Sequence, residues 1–468
     1  MQQPVLPQRS GAQWLQGARA AVLPPATTGR VLRLELSVVT YAWEQSDRPY
    51  EPFLPMVSHK SAWLDLATGV EGTTVQGLPQ GRAAMTLATE QATFFARDSM
   101  TRPNAVLHRF ARAERALNPW AVVLDWSRRG DSVRVAGWCI SRGAKRVVLA
   151  SNGEELHLAA DGTPAMLVRR EDELLWGDVR VEYLWNTWWA VKGGGAYPLA
   201  AFRLVEGTTQ LTRAVPFAGA ELIDSSAAPR LAAPVVAAAM DTRPGAGMPA
   251  WTVDTVRVGD NAFLLKRPDY TEMVALRRDT VFLLDATGDV ARARQDSSWI
   301  ARLFPGRHPM VVVVTDLAWP HVGSAAYWAR AGAVLVSHES SRDFLARVVQ
   351  RGASGAAGDN GATTKRPSVF RFRPVTDSLR LAGGELVAYA LQGLSTEGAI
   401  GVWLANARTF WAGDYVQQTD QPSVYARDVV RTIVARGLQP ERICAQHVPM
   451  VPWTTIVNAN AGWSDPPS

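Results

Sequence analysis

The chain reads as an α+β protein with two folded regions: a β-rich half-barrel-like first region and a second region whose sheets are covered by helices. Three observations carry this. A stretch rich in Ala, Pro and Gly, SSAAPRLAAPVVAAAMDTRPGAGMPA, divides the 468 residues near their middle. Ahead of it, short runs of alternating polarity are separated by turn residues. Behind it, apolar runs alternate with amphipathic segments of helical length. The predicted boundaries are 1–224 for the first region, 225–250 for a linker and 251–468 for the second region.

In the first region VLRLELSVVTYAW, AAMTLATEQATFFA, SVRVAGWCI, RVVLASN, ELHLAA, AMLVRRE, VRVEYLWNTWW and PLAAFRLVE read as strands. Residues 106–123 read as a helix interrupted at Pro119. Many strands with one or two helices predict a curved antiparallel sheet closed over a helix. The chain carries 18 Trp, and Trp185, Trp188 and Trp189 lie together. They are expected to pack against the rest of the fold or to line an apolar cradle.

In the second region the strand runs are NAFLLK, MVALRR, TVFLLDA, MVVVVTD, AVLVSH, SVFRFRPV, ELVAYALQ, AIGVWLA and RTFWAGD. Helices are expected over 289–304, 322–331, 341–350 and 423–437, and a polar surface loop over 351–364.

Composition narrows function less than fold. Apolar residues are 47% and charged residues 20%, enough for sizeable cores. The net charge of +6 comes from scattered arginines with no basic tract, so nucleic acid is not an expected partner. No run of 18 apolar residues occurs, which argues against a membrane span. The N-terminus lacks a signal-like apolar run, and Cys139 and Cys444 form no CxxC motif. Both suit a cytoplasmic protein. Cys139, inside GWCI, is expected to be buried and inert, and Cys444 to be no ligand. His59, His108, His157 and His308 read as surface or core histidines, and His338 as structural.

The succession from FLLDATGDVARARQ through VVVVTDLAWPHVGS to GAVLVSH, followed by LQGLSTEGAIGVWLANARTFWAGD and ICAQHVPMVPW, resembles the metallo-β-lactamase superfamily over about 200 residues. The resemblance implies an αββα sandwich over roughly 253–453 and a β-rich accessory domain ahead of it. It also implies a T-H-x-H-x-D-H loop, which here reads T-D-L-A-W-P-H. Asp316, Ala318 and Pro320 then stand where the family has its first His, second His and Asp; Ser395 stands for a later His. His321, the bridging Asp414 and the final His447 are kept. Ala and Pro donate no ligand and Ser is a poor one for zinc, so no dinuclear zinc centre is expected.

The expected cofactor is therefore none, or one divalent ion (Zn, Mn or Fe) held by His321, Asp414 and His447. Asp316, His321, Ser395, Asp414 and His447 are the candidate catalytic residues, with Trp319 as a pocket wall. Three chemistries stay open: a Ser395 nucleophile served by a His base, an acid–base site of the lyase, isomerase or cyclase type, and a non-catalytic domain that binds a ligand or partner. The expected partner is an apolar or aromatic small molecule, with a second copy or an intact relative as candidate protein partners.

Overall fold

A computed structural model describes residues 9–461, apart from 42–54, 76–84, 98–99, 104, 174–176, 208, 235–239, 241–251, 269, 353–369, 394–395 and 397. Contacts divide the chain into two compact units, one drawn from most of the first 248 residues and the other mainly from Pro249 onward.

The second unit is an αββα sandwich. Its first sheet has seven strands in the order Asp254–Gly259, Ala262–Lys266, Glu272–Arg277, Thr280–Leu284, Met310–Val313, Val334–His338 and Phe372–Val375. Pairing is antiparallel up to Thr280–Leu284 and parallel beyond it. The parallel pairs need crossovers, which the helices Val290–Leu303, Ala325–Arg330 and Arg342–Gly352 lie within. The second sheet has six strands: Ser378–Leu381, Leu386–Ala390, Ile400–Leu404, Thr409–Trp411, Arg442–Cys444 and Val451–Pro452.

Strand periodicity explains how one short sequence feeds two cores. Trp411 and Cys444 point between the sheets, where they meet Leu264, Met273, Phe282, Val313 and Val336 of the first sheet. Their neighbours Phe410 and Ile443 point outward, under Val429, Ile433 and Ile456 of the helices Val424–Ala435 and Trp453–Asn460. The helix expected over 322–331 is instead two pieces, Trp319–Val322 and Ala325–Arg330. Buried Ser324 separates them, its N–H donating to Ala286 C=O and its C=O accepting from Tyr327 and Trp328. The loop expected at 351–364 lies, from residue 353, outside the described residues.

The first unit is built on one thirteen-stranded sheet in which strand Arg30–Tyr41 pairs antiparallel with Thr209–Asp224. The sheet surrounds a helix, Pro119–Arg128, of which Pro119 through Trp126 are all buried. Pro119 occupies the first helical turn and Asn118 caps it, so the proline starts this helix and ends the preceding one, Ala105–Arg115. Trp120 donates to Ala196 C=O, Asn118 to Glu71, and Trp185 to Leu117 C=O, which ties the helical segment to the sheet on several sides.

An N-terminal helix, Gly11–Val22, was not expected from the sequence; Ser10 and Gln13 form a capping box that starts it. The segment read as a linker rests in part on this unit. Leu231, Ala233 and Met240 pack on Val70, Leu87, Ala92 and Phe94, and Met240 N–H donates to Gln91 C=O. No described helix is long and apolar enough to cross a membrane.

Candidate functional site

In the second unit, the ends of strands from both sheets bring Asp285, Thr315, Asp316, His321, Trp411, Asp414, Gln446 and His447 together. Asp285 follows strand Thr280–Leu284 with φ of +70°, a left-handed conformation that Asp tolerates better than most residues. It is wholly buried. One oxygen accepts from the N–H and hydroxyl of Thr315 at 2.9 and 2.7 Å, the other from the indole of Trp411 at 3.0 Å. Thr315 in turn accepts Ile400 N–H at its carbonyl, which stitches the second sheet to the first.

His321, also wholly buried, is delivered by the short helix Trp319–Val322. Its Nδ1 lies 3.1 Å from Thr315 Oγ1, 3.3 Å from Asp285 Oδ1 and 3.0 Å from the Gln446 amide. Because the Thr315 hydroxyl donates to Asp285, it is left to accept from Nδ1–H, an arrangement in which the Gln446 amide presents its Oε1 and not its Nε2 to the ring. The other nitrogen, Nε2, has no hydrogen-bond partner and faces Asp316 Oδ2 at 3.5 Å and Asp414 Oδ2 at 4.0 Å. Asp316 also accepts Ala318 N–H at 2.8 Å, which fixes the turn into the helix.

Asp414 comes from the end of the second sheet, one residue after Gly413. Gly413 has φ of +59°, and a Cβ there would lie 2.4 Å from Thr315 Oγ1. Glycine alone lets these two loops approach. Asp414 Oδ1 lies 3.0 Å from His447 Nε2, close enough for an ion pair though not aligned as a directed hydrogen bond. The ring of Tyr270 packs against His447 with centroids 5.1 Å apart. Accessibility rises along the chain of groups, with side-chain exposure 0% for His321, 10% for Asp316, 22% for Asp414 and 35% for His447.

Three carboxylates thus surround one buried imidazole. Burial pushes the Asp316 carboxyl up to about 7, with Asp414 and Asp285 adding to the shift and His321 opposing it. Burial disfavours charge on His321, but the nearby carboxylates of Asp316, Asp285 and Asp414 outweigh it and hold the imidazole well above its ordinary value. Burial would raise Asp414, but His321 and His447 outweigh it and hold this carboxyl below the usual range. These directions favour a protonated His321 and an ionised Asp414.

Of the residues expected from the sequence, Asp316, His321, Asp414 and His447 meet here. Ser395 lies outside the described residues, as does the side chain of Trp319. The sequence reading did not assign roles to Asp285, Thr315, Trp411, Gln446 or Tyr270. Only the position of Asp285, at the end of an apolar strand, marked it out in advance.

A single ion of the kind expected from the sequence would draw on Asp316, His321, Asp414 and His447. Ligand atoms of a tetrahedral zinc site with bonds of about 2.0–2.2 Å lie roughly 3.3–3.5 Å apart around one point. Here His321 Nε2 lies 3.5 Å from Asp316 Oδ2 and 4.0 Å from Asp414 Oδ2, and His447 Nε2 lies 3.0 Å from Asp414 Oδ1. Among the described residues no three His, Cys, Asp or Glu side chains are grouped as a metal site. Ala318 and Pro320 supply no donor.

No family model matches the chain, and no curated protein matches it. Solved structures do. DIM-1 metallo-β-lactamase aligns at 12% identity over 45% of this chain and 95% of its own, with a TM-score of 0.35. The FIM-1 enzyme from Pseudomonas aeruginosa, in its mono-zinc form, aligns at 15% identity over 44% and 93%, with a TM-score of 0.35. A metallo-β-lactamase from Hirschia baltica aligns at 12% identity over 44% and 95%, with a TM-score of 0.34. At these levels the αββα assignment rests on the sheet order and two-sided core described above, and the resemblance extends no further than the fold.

Proposed function

We propose that the second unit is a metal-independent acid–base site in which His447 moves the proton. The observation that supports this most directly is the His447–Asp414 contact at 3.0 Å, with His447 about one-third exposed and Asp414 backed by the buried His321. Asp414 orients His447. His321, protonated and fixed through Thr315 and Asp285, keeps Asp414 anionic from behind. Tyr270 offers an aromatic face beside the reacting nitrogen, suited to an apolar or aromatic small molecule. Hydrolysis through an activated water and proton transfer of the lyase or isomerase type are both within reach of this arrangement. The two free cysteines suit a cytoplasmic setting, which belongs to the same proposal.

The complete burial of His321 and Asp285 favours a second reading, a ligand-binding domain that keeps the cluster as architecture. Metal analysis and a substrate screen of the full chain separate the readings. Acid–base catalysis predicts turnover of small esters, lactones or enolisable carbonyl compounds that survives chelation and falls about 100- to 10,000-fold in His447→Ala. Two equivalents of tightly held zinc, or activity abolished by chelation, would overturn the proposal. Saturable binding of such compounds without turnover would establish the second reading instead.

A further inference from the structure

We propose that Cys139, His157 and Glu155 of the first unit form a nucleophilic triad for acyl transfer, beside a pocket that takes an apolar acyl chain ending in a carboxylate. The sequence reading expected Cys139 to be buried, which the structure corrects, and His157 to be a surface or core histidine; it is buried. Cys139 is partly exposed. Its Sγ lies 3.4 Å from His157 Nδ1, and His157 Nε2 lies 3.1 Å from Glu155 Oε2.

The sheet makes this arrangement. Cys139 is on strand Arg134–Ser141, and His157 and Glu155 are on Glu154–Leu158, with Ala144–Ser151 between them. Gly137 pairs with Val148, and Val148 with His157, so Gly137 and His157 share a face. Cys139 and Glu155 lie two residues from these positions and share it too. The hydrogen bonds have one consistent direction: S–H donates to Nδ1, and Nε2–H donates to the carboxylate. That is the order nucleophile, base, orienting acid.

Two further features supply a substrate. His157 lines a cavity of about 470 Å³, whose walls include Met166, Trp185, Phe202 and Leu204. That volume suits a small organic molecule, and the walls, which also carry Arg142, Asn186 and Gln210, suit a chain that is apolar along part of its length and polar at its end. Arg146, the cross-strand partner of Cys139, lines the same cavity and has no carboxylate partner among the described residues. Its guanidinium is placed to pair with a carboxylate on the substrate.

At rest both groups are neutral. Burial, together with Glu155, holds the thiol above its ordinary value against Arg146. Burial lowers His157 despite its bond to Glu155. The thiol therefore gives up its proton as it attacks. His157 Nδ1 takes the S–H proton while sulfur bonds to the carbonyl carbon. The ester C–O bond then breaks and the alkoxide leaves with that proton. Water hydrolyses the thioester, returning carboxylic acid and free thiol, with the net reaction ester plus water to acid plus alcohol.

The test uses the full chain with two probes, 4-nitrophenyl hexanoate and the 4-nitrophenyl half-ester of adipic acid, which carries the free carboxylate. Acylation is read by release of 4-nitrophenolate and by mass spectrometry of the adduct. Cys444, wholly buried with its thiol pushed up to about 12, is the internal reference. The expected result is an acyl group on Cys139 and none on Cys444, with the half-ester preferred. His157→Gln should slow acylation about 100-fold, and Arg146→Ala should remove the preference for the half-ester. Equal acylation of the two cysteines, no adduct on Cys139 with either probe, or an unchanged rate in folded His157→Gln would overturn the proposal. The cysteine comparison needs no variant, so a misfolded mutant does not shield the idea. Because the second unit is also expected to turn over small esters, the acyl adduct located on Cys139 by mass, and not 4-nitrophenolate release alone, separates this reaction from the chemistry of the second unit.

Discussion

Arginine balances buried carboxylates in both units, in the second through Arg267 with Glu272 and Asp296, but one cluster of the second unit is balanced differently. In the first, carboxylates meet guanidinium groups. Arg115 pairs with Asp125 and Glu71, Arg129 with Glu90 and Glu154, and Arg169 and Arg203 with Glu171. Arginine does not lose its proton, so the positive side of these networks is fixed and they act as structure. In the second, Asp285, Asp316 and Asp414 face a single histidine. The balancing charge there is a removable proton. The difference marks the second cluster as chemical and the first as architectural.

The largest effect that would test this contrast is in the first unit. Arg115→Ala strips buried Asp125 and Glu71 of their cation and should cost about 3–5 kcal/mol in chemical unfolding. A loss below about 1 kcal/mol would show that these carboxylates are not held by arginine.

A pH experiment sharpens the same point. Burial pushes Glu71 up to about 7, against the pull of Arg115 and Asn118. A carboxyl raised on folding contributes stability that is full below its unfolded value near 4.5 and is lost as pH rises towards 7, about 3 kcal/mol in all. His108 is lowered to about 4, by burial and then by Arg112 and Arg169. A histidine lowered on folding contributes stability that is full above about 6.5 and is lost as pH falls towards 4. The two slopes oppose each other between about 4.5 and 6.5. Glu71→Gln should therefore uncover a fall in stability on acidification that wild type masks. Identical pH curves for the two proteins would remove Glu71 from the balance.

In the second unit, Gly413→Ala would drive a Cβ into Thr315 and strain a left-handed residue, for about 1–3 kcal/mol. The discriminating readout is the His321 imidazole signal in NMR, which should move as Thr315 is displaced; an unchanged signal would mean that Thr315 does not hold the ring. The smallest effect belongs to Tyr270→Phe, expected within about 0.5 kcal/mol of wild type. Tyr270→Ala should cost about 0.5–1.5 kcal/mol and loosen His447. Equal losses in both variants would mean that the hydroxyl, and not the ring, matters.

Much of the second unit could be read from the chain alone because its strands are buried and short. NAFLLK, TVFLLDA, MVVVVTD and AIGVWLA became the strands Ala262–Lys266, Thr280–Leu284, Met310–Val313 and Ile400–Leu404. Asp316, His321, Asp414 and His447 were singled out through the motif that the resemblance implies. Their supporting groups were not. Trp411 reaches Asp285 and Gln446 reaches His321 from more than a hundred positions away, and only the packing of two sheets connects them. In the first unit Pro55–Asp65, Glu71–Val75 and Thr209–Asp224 escaped notice, since polar residues interrupt their apolar alternation. Cys139 and His157 escaped for a related reason: an entire strand lies between them, and no local pattern spans it.

The pairing of strand Arg30–Tyr41 with Thr209–Asp224, Arg30 lying opposite Asp224, also sets an order of assembly. On either side of that pair the sheet grows by neighbours in sequence, from Pro55–Asp65 out to Met100–Pro103 and from Ala196–Val205 out to Arg134–Ser141. Each arm can zip from its own hairpins. The seam between them must wait for two segments at opposite ends of the unit to find one another, a closure that is entropically costly and slow. Refolding of the first unit should therefore be limited by its middle, with both halves formed before they join.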